Sequence, residues 1–177
     1  MFPAFVIHHP IHTERDDIVS DLVKKTGATQ FQSYLLSDPV RGCLMSHIGV
    51  AKLARSLHPD SHYIVFEDDC ELSENWQLPL QDASGFDITY IGYNDKCEWA
   101  TFGTHAMLVS PKARDILIDK VALWGPMEHD RNACDHIISK MCRVEGLSVC
   151  MPKYERREEF CRQKKGLKST ITGQIRT

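Results

Sequence analysis

Three consecutive carboxylates, Glu67, Asp68 and Asp69, are the residues of this chain whose types and spacing most directly suggest chemistry. They follow residues 63–66, a β-branched and aromatic run that predicts a short buried strand. Because a buried, unpaired carboxylate is costly, acids delivered together to a strand end need a cation nearby. A divalent ion whose shell is completed by phosphate oxygens would meet that need. An acidic turn in solvent would also account for these residues, and spacing alone does not decide.

Length and composition predict one domain over residues 1–177 with a real hydrophobic core. No run of residues is apolar and long enough to predict a membrane span or a secretory signal. The seven cysteines form no C-x-x-C pair, which argues against a disulfide framework or a zinc ribbon. Reduced thiols in a cytoplasmic protein are therefore predicted. The net charge of −3 argues against a general nucleic-acid binder.

The charge is unevenly distributed along the chain. Residues 151–177 hold eight basic and three acidic residues, a net +5, which leaves −8 on the remainder against the total of −3. A basic end on an acidic body predicts an anionic ligand between them, with residues 152–177 as a lid. A solvated helix face or a frayed tail is the alternative.

The elements that must position these acids alternate between strand and helix. Strands are predicted at 4–8, 31–36, 63–66, 88–91, 106–109 and 147–151. Helices are predicted from a Thr13/Asp16 capping box to Gly27, from Gly42 to His58, from Ser110-Pro111 onward, and over 134–141. This order predicts an α/β domain with a Rossmann-type, mostly parallel sheet flanked by helices. Its ligand crevice would lie beyond the carboxyl ends of the strands, near His8-His9, the acidic triplet and Gly92-Tyr93-Asn94.

At this point the chain resembles a known family. Residues 42–47, Gly-Cys-Leu-Met-Ser-His, are similar to the G-C-x-x-S-H segment of glycosyltransferase family 25, the lipopolysaccharide-type and procollagen-type sugar transferases. In that family a strand ending in Glu-Asp-Asp follows at about this distance, as residues 66–69 do here. Further pieces agree in order: Glu14-Arg15, residues 87–92, residues 106–113, Asp135, and Gln163 with residues 169–171.

The resemblance implies a GT-A fold that binds a nucleotide-sugar through a D-x-D-type motif and a divalent ion, Mn²⁺ or Mg²⁺. It implies inverting transfer of a hexose, galactose or glucose, from a UDP-sugar donor to a glycan or glycoprotein acceptor. Two departures stand out: His8-His9 replaces the usual Asn-Leu at the end of the first strand, and no histidine follows His136 as a late metal ligand.

Within this resemblance, Glu67 and Asp69 are the predicted metal ligands. They are two residues apart and would point the same way from an extended chain, while Asp68 points opposite, toward ribose or sugar hydroxyls. Asp135 is the predicted general base, since a single displacement needs a carboxylate to accept the acceptor's proton. An aspartate that only favours its helix dipole is the alternative for Asp135.

The remaining predicted contacts concern the donor. Ser46 and His47 lie near a helix start that attracts anions, and Gly103-Thr104 would bring backbone close to the sugar. A packing histidine and a plain turn are the alternatives for these two segments. The other donor contacts are a nucleobase pocket at His8 and His9, and a lid carrying Gln163, Lys164 and Lys168.

Three function classes remain open from the sequence. The first is the metal-dependent hexosyltransferase. The second is a nucleotide-sugar binding protein without turnover, and the third is a metal-dependent phosphohydrolase that uses the same carboxylates. A serine hydrolase is excluded because the chain has no G-x-S-x-G turn.

Overall fold

The computed structural model describes residues 2–81, 83–91, 103–123, 134–151, 160–164 and 167. The strands, in chain order, are β1 Ala4–His8, β2 Thr29–Gln32, β3 Tyr63–Glu67, β4 Cys70–Leu72, β5 Ile88–Tyr90, β6 Ala106–Val109, β7 Val149–Cys150 and β8 Cys161–Gln163. The helices are α1 Asp16–Thr26, α2 Pro39–Leu57, α3 Pro111–Asp119 and α4 Cys134–Val144.

A six-stranded sheet with the order β2-β1-β3-β6-β5-β7 forms the centre of the fold. β1 pairs in parallel with β2 and with β3, and β5 pairs in parallel with β7. β6 lies antiparallel between β3 and β5, so five of the six strands run in one direction. The predicted α/β class with a mostly parallel sheet is confirmed, and the reversed β6 is the feature that the strand pattern did not predict.

Helices cover both faces of this sheet because successive strand residues point to opposite sides. On β3, Tyr63 and Val65 join a core cluster with residues of α2, α3 and α4. Ile64 and Phe66 join a second cluster with residues of α1 and with Trp76. The strand is therefore buried on both faces, and its end delivers the acidic triplet to one edge of the sheet.

Several element boundaries differ from the prediction. The second strand lies at 29–32 instead of 31–36, because its register with β1 runs only from Phe5↔Thr29 to His8↔Gln32. The helix predicted to open at Gly42 begins at Pro39, because the Asp38 carboxylate accepts from the amides of Val40 at 3.0 Å and Arg41 at 3.3 Å. The segment expected to break the second strand is thus itself a helix cap.

The predicted capping box between Thr13 and Asp16 is wrong. Residues Thr13–Arg15 form a 3₁₀ turn, and α1 starts at Asp16 without a side-chain cap. Gly27 ends α1 with φ of 68°, as predicted for a residue where glycine is favoured. The small antiparallel sheet of β4 and β8 was not predicted, since its strands are only three residues each.

Some predicted features lie outside the described residues: Gly92-Tyr93-Asn94, Lys168, residues 169–171 and most of the basic segment 152–177. Across the parts of the chain that the structure describes, no helix combines the length and apolarity needed to cross a membrane.

Candidate functional site

The acidic triplet lies where β1 and β3 end and the reversed β6 begins. Ile7 of β1 stands opposite Glu67 in the strand register, and the Glu67 amide donates to the His105 carbonyl at 2.9 Å. This is the edge at which open α/β sheets bind ligands. The reversal of β6 brings Thr104 and His105 to this edge from a later part of the chain.

Glu67 accepts two hydrogen bonds on a single oxygen. Within the described residues, His47 Nε2 contacts Glu67 Oε1 at 3.2 Å, and the Thr104 hydroxyl donates to the same oxygen at 2.8 Å. Burial alone would raise the pKa of Glu67, but the His47 and Thr104 contacts outweigh it and lower the pKa to about 2. His47 is only 2% exposed. Its pKa rises to about 10, against its burial, through its contacts with Cys43 and Glu67.

Asp68 is held by two basic side chains on the opposite face of the sheet. The Arg15 guanidinium donates from Nη1 to Asp68 Oδ1, and His8 Nδ1 lies 3.0 Å from Oδ2. The second nitrogen of His8 lies 3.1 Å from Asp16 Oδ1. Arg15 and Asp68 are 4% and 7% exposed, so this is a buried ion pair. Burial would lower the pKa of Arg15, but Asp68 raises it.

Asp69 is buried at the start of the turn into β4. Its carbonyl accepts from the Lys164 amide at 2.8 Å, which anchors the residue after β8. Asp69 interacts electrostatically with the buried His105, whose pKa rises to about 9. Burial opposes that rise, while Cys161, Asp69 and Glu67 favour the imidazolium.

A pair of thiols lies beside His105. The sulfurs of Cys70 and Cys161 are 2.8 Å apart, across the small sheet of β4 and β8. Burial raises the pKa of Cys161, but the contact with Cys70 and the His105 charge lower it to about 6. No spacing in the sequence indicates this cluster, because its members come from three distant parts of the chain.

The triplet is therefore surrounded by basic side chains of the protein itself. His47 meets Glu67, Arg15 and His8 meet Asp68, and His105 influences both Glu67 and Asp69. The expectation that the acids need positive charge nearby is met in part by the fold. The sequence indicates Glu14-Arg15 only as part of the family resemblance, and the structure shows that Arg15 partners Asp68.

Asp135 fixes the loop that precedes β6. Its Oδ1 accepts from the amides of Gly103 at 3.0 Å and Thr104 at 2.9 Å. Because the Thr104 hydroxyl continues to Glu67, a chain of hydrogen bonds runs from Asp135 through Thr104 and Glu67 to His47. Five of the predicted site residues are thus brought into one network.

The Gly42 and Ser46 positions have a packing explanation. A Cβ on Gly42 would lie 2.7 Å from the Tyr34 carbonyl oxygen, so the close approach of this backbone requires glycine. The Ser46 hydroxyl donates to the Gly42 carbonyl at 2.8 Å and accepts from the Tyr34 amide at 2.9 Å. Ser46 is buried in this arrangement, which joins α2 to the segment before it.

Three other predicted donor contacts have partners outside this network. The ring nitrogen Nδ1 of His9 accepts from the Ile11 amide at 3.2 Å, in an exposed position. The Lys164 ammonium lies 3.4 Å from Glu71, a carboxylate of β4. Gln163 pairs with Cys70 in the small sheet.

A surface cavity adjoins His8 on the α1 side of the sheet. It has a volume of about 340 Å³ and is lined by His8, Pro10, Asp16, Val19, Ser20, Val23 and Gln30. Its lining is divided between polar and apolar side chains.

Two sets of residues at this edge could hold a metal. Glu67 and Asp69 offer hard carboxylate oxygens, and one or two such ligands are what an ion shared with a diphosphate needs. Since both hydrogen bonds of Glu67 fall on Oε1, the ligand atom there would be Oε2. Cys43, His47 and Cys134 form a separate sulfur and nitrogen set.

No family model and no curated protein matches this chain. Among solved structures, it is similar to a glycosyltransferase involved in the glycosylation of the major capsid of PBCV-1, with a TM-score of 0.62, 10% identity, and coverage of 94% of this chain and 93% of that one. It is also similar to a mutant Drosophila β-1,4-galactosyltransferase 7 in complex with manganese, UDP-Gal and xylobiose, with a TM-score of 0.50, 12% identity, and coverage of 98% and 68%. At these identities the likeness shows the fold, which is that of the GT-A glycosyltransferases.

Proposed function

We propose that this protein is a metal-dependent, inverting glycosyltransferase that moves a hexose, galactose or glucose, from a UDP-sugar to a glycan or protein-linked acceptor. The observation that carries the proposal is the acidic triplet at the ligand-binding edge of a GT-A sheet, joined by hydrogen bonds to the loop that Asp135 holds. Support comes from the galactosyltransferase of similar fold that was crystallised with manganese and UDP-Gal. The resemblance of residues 42–47 and 66–69 to family 25 points to the same activity.

Glu67 and Asp69 would hold Mn²⁺ or Mg²⁺ through Oε2 of Glu67 and the carboxylate of Asp69. Such an ion, when bound, supplies Lewis-acid stabilisation of the negative charge that develops on the departing UDP. His47 and His105 add positive charge beside these carboxylates. That charge favours the approach of a diphosphate, which is itself an anion.

The uridine end of the donor would occupy the cavity beside His8, with His9 at its margin. In this arrangement the main role of Asp68 is to hold His8 and Arg15 in place. Its carboxylate would contact ribose or sugar hydroxyls while it remains paired with Arg15. Gly103, Thr104, Ser46 and His47 would border the sugar and diphosphate. Gln163, Lys164 and Lys168 would form a lid over them, with Lys164 leaving Glu71 to reach the phosphates.

Asp135 is the proposed general base. Both backbone hydrogen bonds fall on Oδ1, which orients the carboxylate and directs Oδ2 to an acceptor hydroxyl. A base fixed in this way would lose little orientational freedom when the acceptor binds.

A second candidate is a nucleotide-sugar binding protein without turnover. The buried Arg15–Asp68 and His47–Glu67 pairs favour it, because they supply positive charge to the acids without a metal. In that case UDP-sugars would bind equally well with and without Mn²⁺.

The two candidates are separated by one donor screen. Purified protein is incubated with a panel of UDP-hexoses, Mn²⁺ or EDTA, and glycan acceptors, while UDP, free phosphate and glycosylated acceptor are measured. Transfer that requires Mn²⁺ and is lost in Asp69→Asn but kept in Asp119→Asn would support the proposal. Asp119 is the matched control because it is an exposed aspartate whose partner is Arg55.

Binding without UDP release would establish the second candidate, and release of free phosphate would establish a phosphohydrolase instead. Isothermal titration with UDP and Mn²⁺ gives an independent measure. Equal affinity in the wild type and Asp69→Asn would remove Asp69 from the metal site.

A further inference from the structure

Cys43, His47 and Cys134 converge beneath the acidic edge of the sheet. Their ligand atoms, two sulfurs and one imidazole nitrogen, all lie within 4.8 Å of one another. Cys43 and His47 are one helical turn apart on α2 and so share a face, while Cys134 is the first residue of α4. His47 and Cys134 are buried, and Cys43 is half-buried.

The chemistry of this set differs from that of the carboxylates. Thiolates and imidazole are the ligands of zinc and other thiophilic ions, whereas Mn²⁺ and Mg²⁺ prefer oxygen. Ligand atoms in a tetrahedral zinc site stand roughly 3.3–3.9 Å apart, given bonds of about 2.0–2.3 Å. Against the 4.8 Å limit on the three atoms here, they need to close by at most roughly 1.5 Å to hold an ion.

His47 is oriented as a metal-ligating histidine usually is. Its Nε2 contacts the Glu67 carboxylate at 3.2 Å, so the Nδ1 proton is the one that His47 gives up when a metal binds. A histidine that donates one nitrogen to a carboxylate and gives the other to a metal is the common outer-shell arrangement of zinc sites. The contact that fixes Glu67 thus also selects the tautomer of His47 that a metal requires.

We infer that Cys43, His47 and Cys134 bind one zinc ion. Binding displaces the S–H protons of the two cysteines and the Nδ1 proton of the His47 imidazolium, and all three are released to solvent. The fourth coordination position is left to water or another donor. The ion would join the start of α4 to α2 and so fix Asp135, the residue after Cys134, beside the Thr104 loop. This inference does not rest on the proposed transferase activity.

The spacing of these ligands explains why the sequence did not predict the site. A zinc ribbon is recognised by close cysteine pairs, and here Cys43 and Cys134 are far apart in the chain. His8 and His9, which the sequence predicts as donor contacts, are not members of the set.

The test uses the full chain, stripped of metal by EDTA and titrated with Zn²⁺ alone and with Co²⁺ alone. We expect one zinc per chain by elemental analysis and a sulfur-to-cobalt charge-transfer band. Cys43→Ser and Cys134→Ser should each weaken zinc binding by about 100-fold or more, since a thiolate ligand is lost. Cys150→Ser, a thiol of β7 outside the set, is the matched control and should bind as the wild type does.

A second measurement covers the case in which the serine variants fail to fold. X-ray absorption of the zinc-loaded wild type should give two sulfur ligands at about 2.3 Å. The Cys70→Ser/Cys161→Ser variant should retain the cobalt band, because its thiols belong to the other cluster. A wild type that binds less than stoichiometric zinc, an oxygen-only shell, or loss of the band in that double variant would each overturn the inference. Because all readouts use metal alone, they are unaffected if no sugar is ever transferred.

Discussion

The His47 imidazole contacts the Glu67 carboxylate at 3.2 Å, joining α2 to the end of β3 inside the protein. His47 is 2% and the Glu67 side chain 19% exposed, so little water is present to solvate either charge. Each residue therefore stabilises the charged form of the other, and removing one leaves the second poorly solvated.

The first prediction concerns this pair. His47→Gln and Glu67→Gln, in EDTA-treated protein, should each lower the free energy of unfolding by about 2–4 kcal/mol. The double variant should be more stable than the sum of the two losses implies by about 1–3 kcal/mol, because the lost interaction is shared. Urea denaturation gives these values. The exposed Arg55–Asp119 pair is the control, with a coupling below about 1 kcal/mol. Strictly additive losses at Glu67 and His47 would contradict the pairing.

The second prediction concerns the buried Arg15–Asp68 pair. Arg15→Met should destabilise the protein by about 3–5 kcal/mol, because it removes one member of a buried ion pair and leaves Asp68 with His8 as its one remaining side-chain partner among the described residues. Combining it with Asp68→Leu should recover much of that loss, as apolar replacement of a buried ion pair often does. Thermal and urea unfolding measure both effects.

The control for Arg15 is Arg162→Met, since Arg162 is exposed and contacts Glu71 only at the surface. Its effect should be within about 1 kcal/mol. Equal losses in Arg15→Met and Arg162→Met would show that burial of the pair does not matter.

The third prediction tests the close approach at Gly42. Gly42→Ala should cost about 1–3 kcal/mol, because the added Cβ would stand 2.7 Å from the backbone oxygen of Tyr34, which cannot rotate away. Gly85→Ala is the matched control, as a Cβ there meets no described atom within 4 Å. Chemical denaturation should separate the two variants, and a Gly42→Ala protein as stable as Gly85→Ala would refute the packing explanation.

The fourth prediction concerns pH. Asp87 accepts from the Ser148 amide at 2.9 Å and from Lys112 at 3.1 Å. Burial raises the pKa of Asp87, but these contacts outweigh it and lower the pKa below the ordinary 3.8. The Asp87 carboxylate therefore binds a proton more readily in the unfolded chain than in the folded one. The stability that ionised Asp87 contributes is fully present above its unfolded pKa and is lost as pH falls through its folded pKa.

Asp87→Asn should therefore cost about 1–2 kcal/mol at neutral pH, and the difference from the wild type should shrink as pH falls below 3.8. Urea denaturation at several pH values between about 2.5 and 7 measures how this difference changes with pH. The exposed Asp119→Asn control should show a much smaller pH-dependent difference. A difference in the free energy of unfolding between Asp87→Asn and the wild type that grows in acid would contradict the assigned direction of the Asp87 pKa shift.

The fifth prediction separates the structural and chemical roles of Asp135. Asp135→Asn keeps an oxygen that can accept from Gly103 and Thr104, so the fold and UDP binding should be retained. The amide cannot take a proton, and transfer should fall by about 10²–10⁴-fold. Activity assays with UDP-sugar and acceptor, beside titration calorimetry with UDP, measure both. Unchanged transfer would remove Asp135 as the base.

Local signals in the sequence were enough to place most of the fold. The apolar run at 63–66, Gly27, and Ser110-Pro111 each act through neighbouring residues, and the structure has β3, the end of α1 and the start of α3 where they predicted. The signal at Asp38-Pro39 is equally local, but the same residue types occur in turns and in helix caps. The predicted start of α2 was therefore wrong. The direction of β6 could not be predicted, because alternation along a strand is the same in either direction.

By itself, then, the sequence determined that an acidic triplet ends a buried strand in an α/β sheet, since strand period and residue type are properties of neighbouring residues. Only the tertiary structure decided which side chains meet those acids: His47 at a separation of 20 residues, Thr104 at 37, Arg15 at 53 and His8 at 60. It likewise brought Cys43 to Cys134 and Cys70 to Cys161. The physical reason is that burial and charge pairing depend on which segments the sheet brings together, and no local spacing encodes that.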